Sequence, residues 1–112
     1  MSENQPIEID VATVGQWLKD RPDMVLLDCR EPDEAEIARI EGALLVPMSQ
    51  WSESSVQLKG LRDKHIVVHC HHGGRSLRVA QWMRGNGFPT AQSMAGGIDA
   101  WSLEIDPTVP QY

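Results

Sequence analysis

The 112-residue sequence predicts an α/β domain: a central parallel sheet of about five strands with helices on both faces. Three observations carry that expectation. Short apolar runs alternate with stretches of helical periodicity four or five times along the chain. The run Met24-Val25-Leu26-Leu27 has no polar alternation, as in a strand covered on both faces. The length suits one hydrophobic core and leaves no room for two domains with a cleft between them.

Each element has its own local reason. Residues 1–6 read as a loose tail. Ile7 and Ile9 alternate with polar residues in a short strand. Asp10 is a suitable N-cap for a helix over 11–20, which places Val11, Val14, Trp17 and Leu18 on one face. Arg21-Pro22-Asp23 ends that helix, and the 24–27 strand follows, finishing at Asp28-Cys29-Arg30. Pro32 opens a short acidic helix to about Arg39, and Gly42 breaks the chain before the strand Ala43-Leu44-Leu45-Val46, which Pro47 closes. Residues 49–60 read as helical with Trp51 and Leu58 inward. His65 to His69 is the next strand, and residues 76–85 form a helix with Leu77, Val79, Ala80, Trp82 and Met83 in apolar contact. Gly85 and Gly87 are candidate stops. A strand over Ala91 to Met94, a turn at Gly96-Gly97, a helix containing Ile98 and Trp101, and an extended tail over 106–112 complete the chain. The domain proper is thus expected over residues 7–105.

Composition narrows the function. Hydrophobic residues make up 41% and charged residues 23%, the balance of an ordinary soluble globule. A formal net charge of -6 argues against nucleic acid as a partner, because phosphate binding needs basic patches. Two cysteines do not make a disulfide framework. The opening MSENQPIEID has neither a basic stretch nor an apolar one, and no run reaches the length of a membrane span. The expectation is a reducing cytoplasm, no membrane association, and a monomer or weak dimer.

The most chemically informative segment runs from His65 to Ser76. An apolar strand delivers Cys70, and His71-His72-Gly73-Gly74-Arg75-Ser76 lead into a helix. Sites in parallel sheets lie beyond the carboxyl ends of the strands. A helix N-terminus and a nearby cation both favour thiolate over thiol. Gly73 and Gly74 let loop amides turn inward as a nest for an anion, which is a thiolate, a persulfide or the oxyanion head of a substrate. Cys70 is therefore the candidate nucleophile, against the alternative of a structural cysteine. His71, His72, Gly73, Gly74, Arg75 and Ser76 are the candidate substrate-binding residues. Three histidines flank the thiol, but zinc ligands usually come from spaced pairs or separate elements, so neither metal nor cofactor is expected. Asp28 and Arg30 read as an ion pair that supports the loop. Cys29 reads as a small apolar residue at a strand end, the alternative being a resolving thiol for Cys70. The tryptophans at 17, 51, 82 and 101 read as core or edge packing, and Glu31, Asp33, Glu34 and Glu36 as a solvated acidic face or one that docks a basic protein.

Four ordered motifs then resemble the rhodanese-like, single-domain sulfurtransferase family. They are the Cys70-to-Arg75 loop; Leu26-Leu27-Asp28-Cys29-Arg30-Glu31, a strand ending in Asp-x-Arg; Glu36 to Ala43, ending in Gly-Ala; and Gly96-Gly97-Ile98-Asp99-Ala100-Trp101. In place of the His-x-Pro-Gly-Ala common among relatives stands Arg39-Ile40-Glu41-Gly42-Ala43. The resemblance implies that Cys70 takes sulfane sulfur from a donor such as thiosulfate as a persulfide. It then yields the sulfur to cyanide, a small thiol or a protein thiol. Related phosphatases have a loop one residue longer, so the four residues between Cys70 and Arg75 favour sulfur over phosphate by analogy. The rivals are a small cysteine phosphatase or arsenate-reductase-like enzyme, and a rhodanese-fold binding or regulatory module without turnover.

Overall fold

The computed structural model describes residues 5–50 and 60–112. Five strands form one sheet: β1 (Glu8–Ile9), β2 (Val25–Asp28), β3 (Leu44–Leu45), β4 (Ile66–His69) and β5 (Gln92–Met94). The order is β1-β5-β4-β2-β3 and every pairing is parallel. Among the described residues, four α-helices lie between or after them: α1 (Val11–Asp20), α2 (Pro32–Ile37), α3 (Gly74–Arg84) and α4 (Gly97–Glu104).

Alternation along the central strands divides the core. Leu26 and Val67 point to the face covered by Val11 and Val14 of α1 and by Ile98 and Trp101 of α4. Leu27, Ile66 and Val68 point to the opposite face, against Val79, Ala80 and Met83 of α3. Helices on both faces explain why these strands are apolar up to their last residues, Asp28 and His69. Burial of each such side chain contributes about 1.5–3 kcal/mol before conformational entropy is counted.

The predicted elements recur with small shifts. Asp10 caps α1 by accepting from the Thr13 amide at 2.8 Å. The β2 strand runs one residue further than its apolar run, because Asp28 still pairs with His69. Pro32 opens α2, which a reciprocal Glu31–Glu34 capping box fixes, and the helix ends at Ile37, short of Arg39. Helix α3 begins at Gly74, two residues ahead of the expected Ser76, since Gly73 serves as its N-cap and Gly74 enters the first turn. Of the candidate stops, Gly85 keeps right-handed geometry and Gly87 takes the left-handed one, with φ +95°. Trp101 is buried as expected, whereas Trp82 faces outward and is 48% exposed. The 49–60 helix, with Trp51 and Leu58, falls outside the described residues apart from its ends, where Met48–Gln50 make one 3-10 turn.

The segment after α4 differs from the extended tail the sequence suggests. Asp106 accepts from the Thr108 amide and hydroxyl, and the Val109 amide returns to the Asp106 carbonyl, which makes a tight turn. That turn seats Val109 in the core. It also carries Tyr112 back to the carboxyl ends of the strands. Among the described residues no helix is long and apolar enough to cross a membrane.

Candidate active site

Strand β4 ends at His69 and presents Cys70 at the mouth of the sheet, and α3 begins four residues after Cys70, at Gly74. Gly73 adopts φ +106°, and a Cβ there would meet the Gly96 amide nitrogen at 3.1 Å. The turn aims two amides at the sulfur: Gly73 N donates to Cys70 Sγ at 3.1 Å and Ser76 N at 3.3 Å. These are N–H groups that the helix's own first turn leaves unpaired. Ser76 Oγ lies 3.5 Å from the sulfur and 2.7 Å from Ser93 Oγ on β5. Gly74 is an ordinary helical residue rather than a second left-handed one, with open space around its Cα.

This cradle makes Cys70 an acidic thiol. The Cys29 thiol beside it is the largest cause, burial opposes it, and Ser76 and Gly73 assist; together they bring it down to about 4. Cys29 shifts the other way, raised first by its hydrogen bond to Cys70 and then by burial, so the pair holds its one shared proton on Cys29. Since the thiolate is the reactive form, alkylation of Cys70 by iodoacetamide should stay level from neutral pH to about pH 5 and halve near pH 4. A rate still climbing above neutrality would mean that the cradle does not stabilise the anion.

Residues from distant parts of the chain hold the loop. The amides of Ile98 and Asp99 donate to the carbonyls of Cys70 and His71 at 2.9 and 3.1 Å. Gly97, at φ +61°, permits that approach, because a Cβ there would lie 2.5 Å from the Cys70 carbonyl oxygen. Arg30 is fully buried and donates to Asp28 through Nε at 2.9 Å and Nη2 at 2.7 Å. Its remaining donors reach the Ala38 carbonyl at 2.7 Å and the Tyr112 hydroxyl at 2.9 Å. Tyr112 stacks on His71 with centroids 3.8 Å apart, and His71 stacks on His72 at the same spacing. The Asp28–Arg30 pair thus reaches the loop through Tyr112.

Arg75 lies beside the thiolate but is already engaged. It grips Glu34 with two bonds of 2.7 and 2.8 Å, and Tyr112 donates to the same carboxylate at 2.8 Å. Arg75, first among its causes, holds Glu34 at about 2. The pair's contribution to stability is therefore present above the ordinary carboxylate range and fades only as pH falls through about 2. His69 is buried with Nε2 unpartnered, 3.8 Å from Asp28, and burial lowers its pKa. His71, His72 and Asp99 offer donor atoms within 4.8 Å of one another. The two imidazole planes are only 25° apart, however, so their in-plane lone pairs do not meet within a metal–nitrogen bond of about 2.0–2.1 Å.

The stretch that holds this cysteine, the helix after it and the glycine-led second helix lies within residues 11–104, which match the Rhodanese-like domain model. The chain belongs to that family. This rhodanese-like domain is 30% identical over 102 residues to a sulfurtransferase of Allochromatium vinosum, covering 91% of this chain and 94% of that protein. It is 35% identical to the Rhodanese-like/PpiC domain-containing protein 12, chloroplastic, of Arabidopsis thaliana, covering all of this chain and 40% of that protein. Most of the curated relatives it matches first are longer, and the chain spans 40% or less of their length. Among solved structures, a rhodanese-related protein from Thermoplasma volcanium superposes with a TM-score of 0.78 at 30% identity, covering 94% of this chain and 98% of that one. The human single-domain sulfurtransferase TSTD1 shares the fold with a TM-score of 0.77 at 24% identity, over 89% of this chain and 98% of that one.

The sequence points directly to Cys70, Gly73, Ser76 and the Asp28–Arg30 pair. It does not point to Glu34, Ser93 or Tyr112. Glu34 reads as one of four carboxylates on a solvated face; its spacing from Glu31 as a capping box is the one local signal that it is held in place. Tyr112 and Ser93 have no such signal.

Proposed function

We propose that this domain is a sulfurtransferase that carries sulfane sulfur on Cys70. The observation that carries the reading is the thiolate held by the Gly73 and Ser76 amides at the first turn of α3. Two amides hold the sulfur anion, and the same amides suit a persulfide, whose charge lies one atom further out. The likeness to the Allochromatium sulfurtransferase over nearly its whole length supports the chemistry.

With thiosulfate as donor, the Cys70 thiolate attacks the outer sulfur. A new S–S bond forms, the bond to the sulfonate sulfur breaks with its electron pair, and sulfite leaves. An acceptor thiolate or cyanide then attacks the outer persulfide sulfur and restores the Cys70 thiolate. Both steps are charge-balanced displacements and need no added oxidant or metal. Arg75 faces the charge on Cys70 while bound to Glu34, so it supplies a positive field without being free to form a new bidentate clamp.

Intact mass after incubation with thiosulfate tests the proposal. One added sulfur is expected, removable by cyanide or a thiol and absent from Cys70→Ala. Sulfur found on Cys29, no gain for any of several sulfane donors, or robust turnover of an aryl phosphate would each overturn it.

A further inference from the structure

Sulfur transfer by Cys70 leaves one nucleophile unused, and the fold sets it beside the first. Strands β2 and β4 are paired in parallel with Asp28 opposite His69, and the Cys29 amide continues the ladder to the His69 carbonyl at 3.1 Å. Cys29 and Cys70 directly follow these last paired residues of the two strands. In-register neighbours in a sheet lie about 4.8 Å apart, inside the range of about 4.4–6.8 Å between the Cα atoms of a disulfide. Period-two alternation sends both side chains to the same face, and both belong to the cluster around Leu27, Val68 and Val79. Both are free thiols and both are buried. A filler residue at position 29 needs none of this register.

We propose that Cys29 is the resolving thiol of Cys70: peroxide oxidises Cys70, and the two close a Cys29–Cys70 disulfide that a dithiol reopens. In the first step the Cys70 thiolate attacks one peroxide oxygen, the O–O bond breaks and hydroxide leaves, giving a sulfenic acid. In the second, Cys29 loses its proton to that hydroxide and its sulfur attacks Cys70. The S–O bond breaks, and the departing hydroxide is left in solution. The sum is thiolate, thiol and hydrogen peroxide to disulfide, water and hydroxide. The two sulfurs together lose two electrons, which the peroxide oxygens gain.

The same geometry times the second step. The hydrogen bond to Cys70 and its negative charge are two of the causes that keep the proton on Cys29. A sulfenic acid is neutral, so both causes disappear when Cys70 is oxidised. A persulfide keeps its negative charge one atom away, so sulfur loading leaves Cys29 protonated. Cys29 is thus held inert through the transfer cycle and released by oxidation. The consequence is protection, because a disulfide stops the ladder before the irreversible sulfinic and sulfonic acids. This step needs only a thiolate at Cys70, whatever its physiological cargo.

The test uses the full chain with a small excess of hydrogen peroxide, blocking of free thiols, and mass spectrometry of the intact protein and its non-reduced peptides. The expected product has lost two hydrogens and gives one cross-linked species joining the peptides of Cys29 and Cys70. Dithiothreitol should return both thiols in full. In Cys29→Ser the same dose should instead add two or three oxygens to Cys70, which dithiothreitol does not remove. Should that variant fold poorly, the wild-type map decides alone. Sulfinic acid on Cys70 with Cys29 still free, or Cys70-to-Cys70 dimers, would overturn the assignment. The readout is an oxidation product, so its failure is distinct from a failure to load sulfur from thiosulfate.

Discussion

Arg30→Met should be the most damaging single substitution at the site, lowering stability by about 3–5 kcal/mol, the usual cost of stripping one partner from a buried ion pair. Arg30 has no exposed surface, and its loss leaves the buried Asp28 carboxylate without the Nε and Nη2 donors. It also orphans the Ala38 carbonyl and removes the donor to Tyr112. A domain of this size has roughly 5–15 kcal/mol to lose. The variant should therefore melt roughly 10–20 °C lower. The double change Asp28→Leu with Arg30→Met should recover part of the loss, since it removes the stranded charge. Differential scanning calorimetry of the single and double variants measures both. A single variant within about 1 kcal/mol of wild type would mean that the pair is dispensable.

Gly97→Ala should do its damage at the thiol. A left-handed conformation costs a residue with a Cβ about 1–2 kcal/mol. The added methyl would also lie 2.5 Å from the Cys70 carbonyl oxygen and within contact of that of His71, both backbone atoms that yield only if the loop moves. Overpacking of that kind adds about 1–3 kcal/mol. The loop can move only by loosening the bonds from Ile98 and Asp99, which carries Cys70 away from its amides. The midpoint of the alkylation profile, near 4 in the native chain, should rise by about one unit or more. Gly74→Ala is the control: its Cβ meets nothing and its φ is ordinary, so the same midpoint should hold. Equal midpoints for both variants would show that Gly97 does not position the loop.

These substitutions mark where sequence reasoning succeeds and where it stops. Cys70 and Gly73 are legible because their chemistry is local: strand, thiol, turn glycine and helix follow one another within a dozen residues. Asp28 and Arg30 are legible because a carboxylate and a guanidinium two apart at a strand end have few other uses. The layers are legible because short unbroken apolar runs mark strands covered on both faces and the 3.6 period marks the helices between them. What could not be read are contacts closed over long distances. Glu34 meets Arg75 across 41 positions and Tyr112 meets Arg30 across 82. The Gly96-Gly97 pair is visible as a motif, but its purpose is visible only once the start of α4 is seen against the Cys70 and His71 carbonyls. Trp82 shows the opposite limit: its spacing fits a buried helix face, yet about half of it is exposed.

The sulfur cradle also changes what folding does to the surrounding water. An unfolded cysteine holds its proton up to about pH 8.5, whereas the folded Cys70 gives it up near 4. At neutral pH each chain that folds therefore releases a proton. Because the folded value is the lower one, the associated stability is complete above the unfolded value and is lost as pH falls through the folded one. His69, buried and held neutral, works in the same direction below the ordinary imidazole range. The loop that makes the thiol reactive thus ties the whole domain to its proton supply: between about pH 4 and 8.5 rising pH tightens the fold and acid reclaims the proton by opening it, whereas above the ordinary thiol range the proton kept on Cys29 reverses the trend.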